Sequence, residues 1–161
     1  MNKNINLGVI GLSEGNGHPY SWSAIFNGYD KNKMKSCGYP AIPNYLNKQK
    51  FPDAQIKEGS VTHIWTQDIN LSKHIASAAL IGNIVSDYKE LIENVDAILL
   101  ARDDAENHFE FAKPFLKAGM PIYIDKPLAL TVSEAEKILG LQSYEGQVFS
   151  CSANRYAPEL E

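Results

Sequence analysis

Long apolar runs, an excess of basic residues and paired cysteines are all missing from this sequence, and each shortage removes a class of protein. No apolar stretch approaches the ~20 residues that a membrane-spanning helix requires, so no membrane partner is expected. The opening MNKNINLGVIGL is too short in its apolar part and too soon interrupted for a signal peptide. The expected setting is therefore cytoplasmic. With 15 Lys and Arg against 19 Asp and Glu, the net charge of -4 leaves no basic footprint for nucleic acid. Cys37 and Cys151 lie far apart and read as free thiols. His63 and His74 have no partners at ligand spacing, so no metal site is expected. Ser13, Ser21 and Ser23 sit in no nucleophile elbow. Trp22 and Trp65 read as packing residues. The 161 residues suffice for one domain with a real core and leave little for a second.

What is present is an alternation of short β-rich runs with longer helical periods. Strands are predicted at Asn6 to Leu12, His63 to Gln67, Asn83 to Val85, Ala97 to Ala101, Ile122 to Ile124 and Gln147 to Ser152. Several are apolar throughout, as a strand covered on both faces must be. Helices fall between them. Asp103 or Asp104 can cap one carrying Ala105, Phe109, Ala112, Phe115 and Leu116 at helical spacing, with Pro114 expected to bend it and Gly119 to stop it. Another opens on the capping box Thr131-Val-Ser-Glu134, and a shorter one begins at Asp87 with Glu90 three residues on. Strand, helix, strand, repeated with right-handed crossovers, gives an α/β fold: a doubly wound parallel sheet of Rossmann type in three α/β/α layers. Its ligand crevice lies at the carboxyl ends of the strands.

One stretch breaks the rhythm. Residues 27–60 are rich in Lys, Asn, Tyr and Pro, with turn signals at Gly38-Tyr-Pro40 and Phe51-Pro-Asp53. A plain two-strand unit places an acidic ribose ligand ~20 residues after its glycine loop. Here 57 residues separate Gly11 from Asp68. The segment is read as an insertion after the first helix, either a solvated excursion or a flap over the crevice stiffened by prolines and carrying Tyr39 and Tyr45.

The glycine loop itself, GLSEGNGHPYSWS from Gly11 to Ser23, has its glycines out of place. With the first glycine of Gly-x-Gly-x-x-Gly set on Gly11, Ser13 and Asn16 stand where the second and third belong, and Gly15 and Gly17 are one residue off. A serine can still offer a hydroxyl and an N–H to phosphate. Gly15-Asn-Gly17 permits positive φ in a wider turn before Pro19 and a helix, whose N-terminus binds anions without a particular fingerprint. His18 and Tyr20 could face a ligand there. Asp68 can accept from ribose hydroxyls and repel a 2′-phosphate, favouring NAD over NADP, and can equally cap the following helix.

The stretch from Ala118 to Leu139 delivers Asp125-Lys126-Pro127 at the carboxyl end of a strand. This resembles the Gfo/Idh/MocA oxidoreductases, whose fifth strand is followed by Glu-Lys-Pro and a Leu-Ala-rich helix entry, here Leu128-Ala129-Leu130. Asn107-His108, Leu116-Lys-Ala-Gly119 and Ser152-Ala-Asn-Arg155-Tyr156 extend the similarity over most of the chain. The resemblance implies hydride transfer between a nicotinamide cofactor and a hydroxyl-bearing carbon of a sugar or cyclitol, and, within the family, also redox-assisted glycoside cleavage. Lys126 inherits the catalytic role of orienting the hydroxyl and easing off its proton; the other reading is a strand-end charge pair without a role. Cofactor contacts are implied for Gly11, Ser13, Gly15, Asn16, Gly17, His18, Asp68, Arg102, Asp103, His108, Asp125, Lys126, Pro127 and Arg155. The chain departs from the family at Asp125, which is one methylene shorter than Glu. It departs again at Ala101-Arg-Asp-Asp, where Ala-Thr-Pro is usual. His108 is open between a crevice-facing role and a helix-surface one. Residues 1–155 are expected to form the dinucleotide-binding domain, with 156–161 starting a substrate domain absent from the chain, so that the chain alone would turn over poorly. Family members often dimerise through that second domain, so a homo-oligomer is possible. The alternative function is a non-catalytic nucleotide-binding or interaction module that keeps the fold.

Overall fold

A computed structural model describes residues 4–157. Strands β1 (Ile5–Ile10), β2 (Gly59–Trp65), β3 (Asn83–Ile84), β4 (Ala97–Leu100), β5 (Ile122–Ile124) and β6 (Val148–Phe149) form one sheet in the order β3-β2-β1-β4-β5-β6, every pair parallel. That order reverses direction between β1 and β4, the switch point at which doubly wound sheets take their ligands. The sequence-predicted strands all occur, within a few residues at their ends.

Helices cover both faces because the strands are apolar on both. Val9 of β1, Val61 and Ile64 of β2 pack against α1 (His18–Asn27) and α4 (Ile69–Ala78) through Tyr20, Ala24, Ile75 and Ala78. On the other face Ile98, Leu100, Ile122 and Ile124 meet Leu91 of α5 (Leu91–Asn94), Phe115 and Leu116 of α6 (His108–Lys117), and Ile138 of α7 (Val132–Leu139). The helix ends follow local chemistry. The boxes at Thr131/Glu134 and Asp87/Glu90 form as expected, each side chain reaching the other's backbone N–H. Gly119 at φ +74° ends α6, since a left-handed residue there costs glycine nothing. One expectation for α6 needs correction: it is preceded by Asn107 and is not capped by the side chain of Asp103 or Asp104, whose carboxylates are engaged elsewhere. Pro114 lies inside the helix, as expected.

The insertion is not a solvated excursion. It folds as α2 (Lys31–Met34) and α3 (Ala41–Leu46), with Asp30 accepting from the N–H groups of Asn32 and Lys33 at the start of α2. Met34 and Leu46 are fully buried in the α1/α4 core. The anchors are too few and too widely spaced to show as periodicity in sequence. At the opposite end of the strands from the crevice, Leu7, Phe26, Leu99, Tyr123 and Phe149 line an apolar opening of about 380 Å³. Among the described residues no helix is long and apolar enough to cross a membrane.

Candidate functional site

The loop between β1 and α1 is built by its glycines, each for a different reason. A Cβ on Gly11 would lie 2.3 Å from Pro19 Cγ, so glycine lets the strand end pass under the first turn of α1. Gly15 has φ +79° and open space on its Cβ side, a backbone that a ligand can approach closely. Gly17 differs from expectation. Its φ is -91°, and a Cβ would meet Ile42 and the Tyr39 ring at 2.6 and 2.7 Å, so it makes room for the insertion rather than for a positive-φ turn. Tyr39 thereby closes over the loop from α3's side. Its hydroxyl pKa is raised by burial, then by Cys37 and by Asp103, which keeps it a hydrogen-bond donor.

Ser13 and Asn16 of the loop are buried, while Glu14 faces solvent. Ser13 Oγ donates to Asp103 Oδ1 at 2.6 Å and accepts from the Asp103 N–H at 3.0 Å. Asn16 Nδ2 donates to Asp125 Oδ2 at 2.8 Å, while its Oδ1 accepts from the His18 N–H at 2.8 Å. His18 Nδ1 bonds the same Asp125 oxygen, and its ring stacks on Trp22 at 4.8 Å between centroids. Asp125, 1 % exposed, spends its other oxygen on the Lys126 N–H at 2.8 Å. Three protein donors thus occupy the Asp125 carboxylate. Lys126 emerges at the strand end with its side chain 48 % exposed and its ammonium 3.8 Å from Asp103 Oδ2. Pro127 follows, exposed.

Three further expectations meet different fates. Arg102 is 8 % exposed and committed: Nε and Nη2 donate to the two oxygens of Asp104 at 2.9 and 2.6 Å, and Nη1 donates to Gln67 Oε1 at 3.1 Å. Its plane lies over Phe111 at 4.7 Å. Burial alone would raise the Asp104 carboxyl, but hydrogen bonds from Arg102 and Asn107 and the guanidinium charge hold it below the usual value. Arg102 braces the loop, with its guanidinium engaged by Asp104, Gln67 and the Leu12 carbonyl. His108 is neither crevice-facing nor on the helix surface. It is fully buried, with Nε2 on the Arg102 carbonyl at 2.8 Å and Nδ1 on the Leu128 carbonyl at 3.1 Å, tying the ends of β4 and β5 together. Arg155 is exposed beyond β6, in a short turn.

Asp68 serves as the cap of α4, its Oδ1 accepting from the Asn70 N–H at 2.8 Å. Its other oxygen has no protein donor among the described residues, so the cap leaves half of the carboxylate available. The sequence also hid Gln67. Its amide pairs with both backbone groups of Leu12, Nε2 to the carbonyl at 2.6 Å and Oε1 from the N–H at 3.1 Å, holding the chain two residues past the end of β1. Nothing in its type or spacing marks that role.

The residues fit a dinucleotide. Among the described residues the N–H groups of Ser13, Gly15 and Gly17 donate to no protein acceptor, and the first turn of α1 carries no carboxylate. A pyrophosphate could take those donors.

The sequence model of the Gfo/Idh/MocA oxidoreductase family, NAD-binding Rossmann fold, matches residues 5–152. Two Escherichia coli K12 oxidoreductases of uncharacterized activity, YdgJ and YhhX, are 35 % and 28 % identical over 74 residues, 45 % of this chain and 21 % of theirs. Among solved structures, myo-inositol dehydrogenase of Lactobacillus casei in complex with NAD(H) and myo-inositol superposes with TM-score 0.70 at 14 % identity, over 97 % of this chain and 39 % of that one. A probable dehydrogenase of Thermotoga maritima superposes with TM-score 0.60 at 20 % identity, over 94 % and 37 %. This chain therefore spans well under half of the proteins it matches. At such identities the structures speak to the fold, and the family match speaks to descent. The chain belongs to the Gfo/Idh/MocA family of oxidoreductases, of which it covers the NAD-binding Rossmann domain.

Proposed function

We propose that this domain holds NAD for hydride transfer to or from a hydroxyl-bearing carbon of a sugar or cyclitol, with Lys126 as the residue that handles the hydroxyl. The observation that carries the reading is the placement of the Lys126 ammonium at the carboxyl end of β5. There it has only a loose ionic partner, Asp103, which is itself fastened to the cofactor loop by Ser13. The myo-inositol dehydrogenase that shares the fold supports a polyol as substrate class.

The residues divide the work. The free N–H groups of Ser13, Gly15 and Gly17 at the start of α1 receive the pyrophosphate. Asp68 takes ribose hydroxyls on its open oxygen and disfavours a 2′-phosphate. Bound nicotinamide supplies a carbon that accepts or returns hydride. Lys126 donates a hydrogen bond from its ammonium to the substrate oxygen and stabilises the negative charge that develops there, while the hydroxyl proton passes to a base that we assign to a further domain. Asp103 keeps that ammonium on the crevice side. Arg102, His108 and Asp125 serve the scaffold. A site of this class needs a second wall to exclude water and seat the polyol, and we assign that wall to a further domain of the protein.

Titration of the chain with NADH and NADPH, followed by nicotinamide fluorescence, tests the reading. NADH should bind saturably in the micromolar to millimolar range, with NADPH roughly tenfold weaker or worse. In Asp68→Asn the gap between the two should narrow. Absence of saturable binding by either nucleotide favours the other reading, a non-catalytic module. That reading draws on the two glycine positions of the fingerprint filled by Ser13 and Asn16, whose side chains bond protein rather than solvent.

A further inference from the structure

The hydrogen bonds around Lys126 close into a ring. Its backbone N–H is held by Asp125 and its ammonium by Asp103. Each of those carboxylates is fastened to the cofactor loop, Asp103 by Ser13 and Asp125 by Asn16 and His18. The loop closes on itself through Asn16 Oδ1 and the His18 N–H, and through the Asn16 N–H and the Ser13 carbonyl at 3.2 Å. Lysine and loop are therefore linked through two carboxylates, loosely at the ammonium and firmly at the backbone N–H. A displacement of residues 13–18 pulls on two carboxylates, and both end on Lys126.

His18 is the member of the ring that a generic loop has no need of. Its Nδ1 faces a carboxylate shielded from water, which fixes the ring as an Nδ1–H donor. The bond is charge-assisted, and so stronger than a neutral one. Trp22 supports the imidazole from one face, and Trp22 in turn rests edge-on against Tyr123 of β5, two residues before Asp125. The same strand thus grips His18 twice, once through the carboxylate and once through the aromatic stack. A glycine at the Asn16 position, as the ordinary fingerprint has, would give Asp125 one donor fewer and leave His18 as the loop's remaining tie to that carboxylate.

We infer that His18 and Asp125 are a positioning pair that couples the cofactor loop to Lys126, so that nucleotide bound at the loop sets the lysine. The inference rests on the cofactor reading above and goes beyond it by assigning these two residues to neither cofactor nor substrate. It also explains why Asp125 is the shorter acid. At 1 % exposure it sits within reach of the loop's side chains, where an added methylene would have to displace Asn16 or His18.

The test uses the full chain, reductively ¹³C-methylated at its lysines, with the Lys126 signal assigned from Lys126→Arg and NADH as the probe. In the wild type, NADH should shift the Lys126 signal. His18→Phe keeps the stack on Trp22 and loses the donor. It should weaken NADH about tenfold, equivalent to ~1.4 kcal/mol, and remove most of the Lys126 shift at saturation. His18→Asn, whose side-chain N–H can stand in for Nδ1–H, should restore both, which a purely steric role for the ring would not allow. Thermal unfolding of each variant separates loss of coupling from loss of fold. A Lys126 signal that responds to saturating NADH in His18→Phe as in the wild type overturns the coupling while leaving the cofactor site standing. No NADH binding to the wild type overturns the cofactor reading itself.

Discussion

Gly17 has no side chain because Tyr39 and Ile42 occupy the place where one would begin, whereas Gly15 has none because its backbone is left-handed. The two glycines should respond differently to alanine. Gly17→Ala overpacks a junction between loop and insertion and should cost ~2 kcal/mol, with weakened NADH binding, as Tyr39 is pushed off the loop. Gly15→Ala meets no atom and should cost about 1 kcal/mol, the penalty of positive φ alone. Denaturant unfolding of both variants checks the order. Asp104 offers a second residue-scale prediction, because its carboxyl is held below the usual value in the folded chain. A depressed folded pKa means stability that is fully present above the ordinary carboxylate pKa near ~4 and is lost as pH falls through the folded value. Unfolding followed from neutral to acid pH should therefore show a decline below about pH 4 that is smaller in Asp104→Asn.

At the scale of elements, the insertion is where the sequence speaks least clearly. Helices α4, α6 and α7 and the six strands are legible because apolar periodicity, capping residues and stop glycines agree over several turns. The α2 and α3 helices are short, and their placement depends on three buried residues, Met34, Cys37 and Leu46, scattered among lysines and asparagines. Local pattern cannot show them, since what defines them is the α1/α4 surface they land on. Leu46→Ala should accordingly cost about 2–4 kcal/mol in denaturant unfolding, the cost of a core cavity. A solvated segment would show less than ~0.5 kcal/mol. The site divides in the same way. The position of Lys126 could be read from Asp-Lys-Pro at a strand end, and that of Asp68 from its place before a helix. The burial of three others could not. Arg102, His108 and Asp125 are charged or polar residues in the right loops, and only three-dimensional contacts reveal that their polar atoms are already taken.

For the whole molecule, the sheet order puts the β1–α1 connection and Lys126 at the carboxyl ends of their strands, β1 and β5, on either side of β4. The apolar opening beneath Tyr123 and Phe149 lies at the other end of the strands, and its lining includes the Glu58 carboxylate and, among the described residues, no Lys, Arg or His to offer a phosphate. The central claim is that loop 11–18 and Lys126 form one cofactor site. Backbone amide NMR of the chain during NADH titration addresses it most directly. The account predicts shifts concentrated at Ser13, Gly15, Gly17, Asp68, Asp103 and Lys126, saturating together. Shifts gathered instead around Leu99, Tyr123 and Phe149, or a spectrum unmoved at saturating NADH, would contradict it.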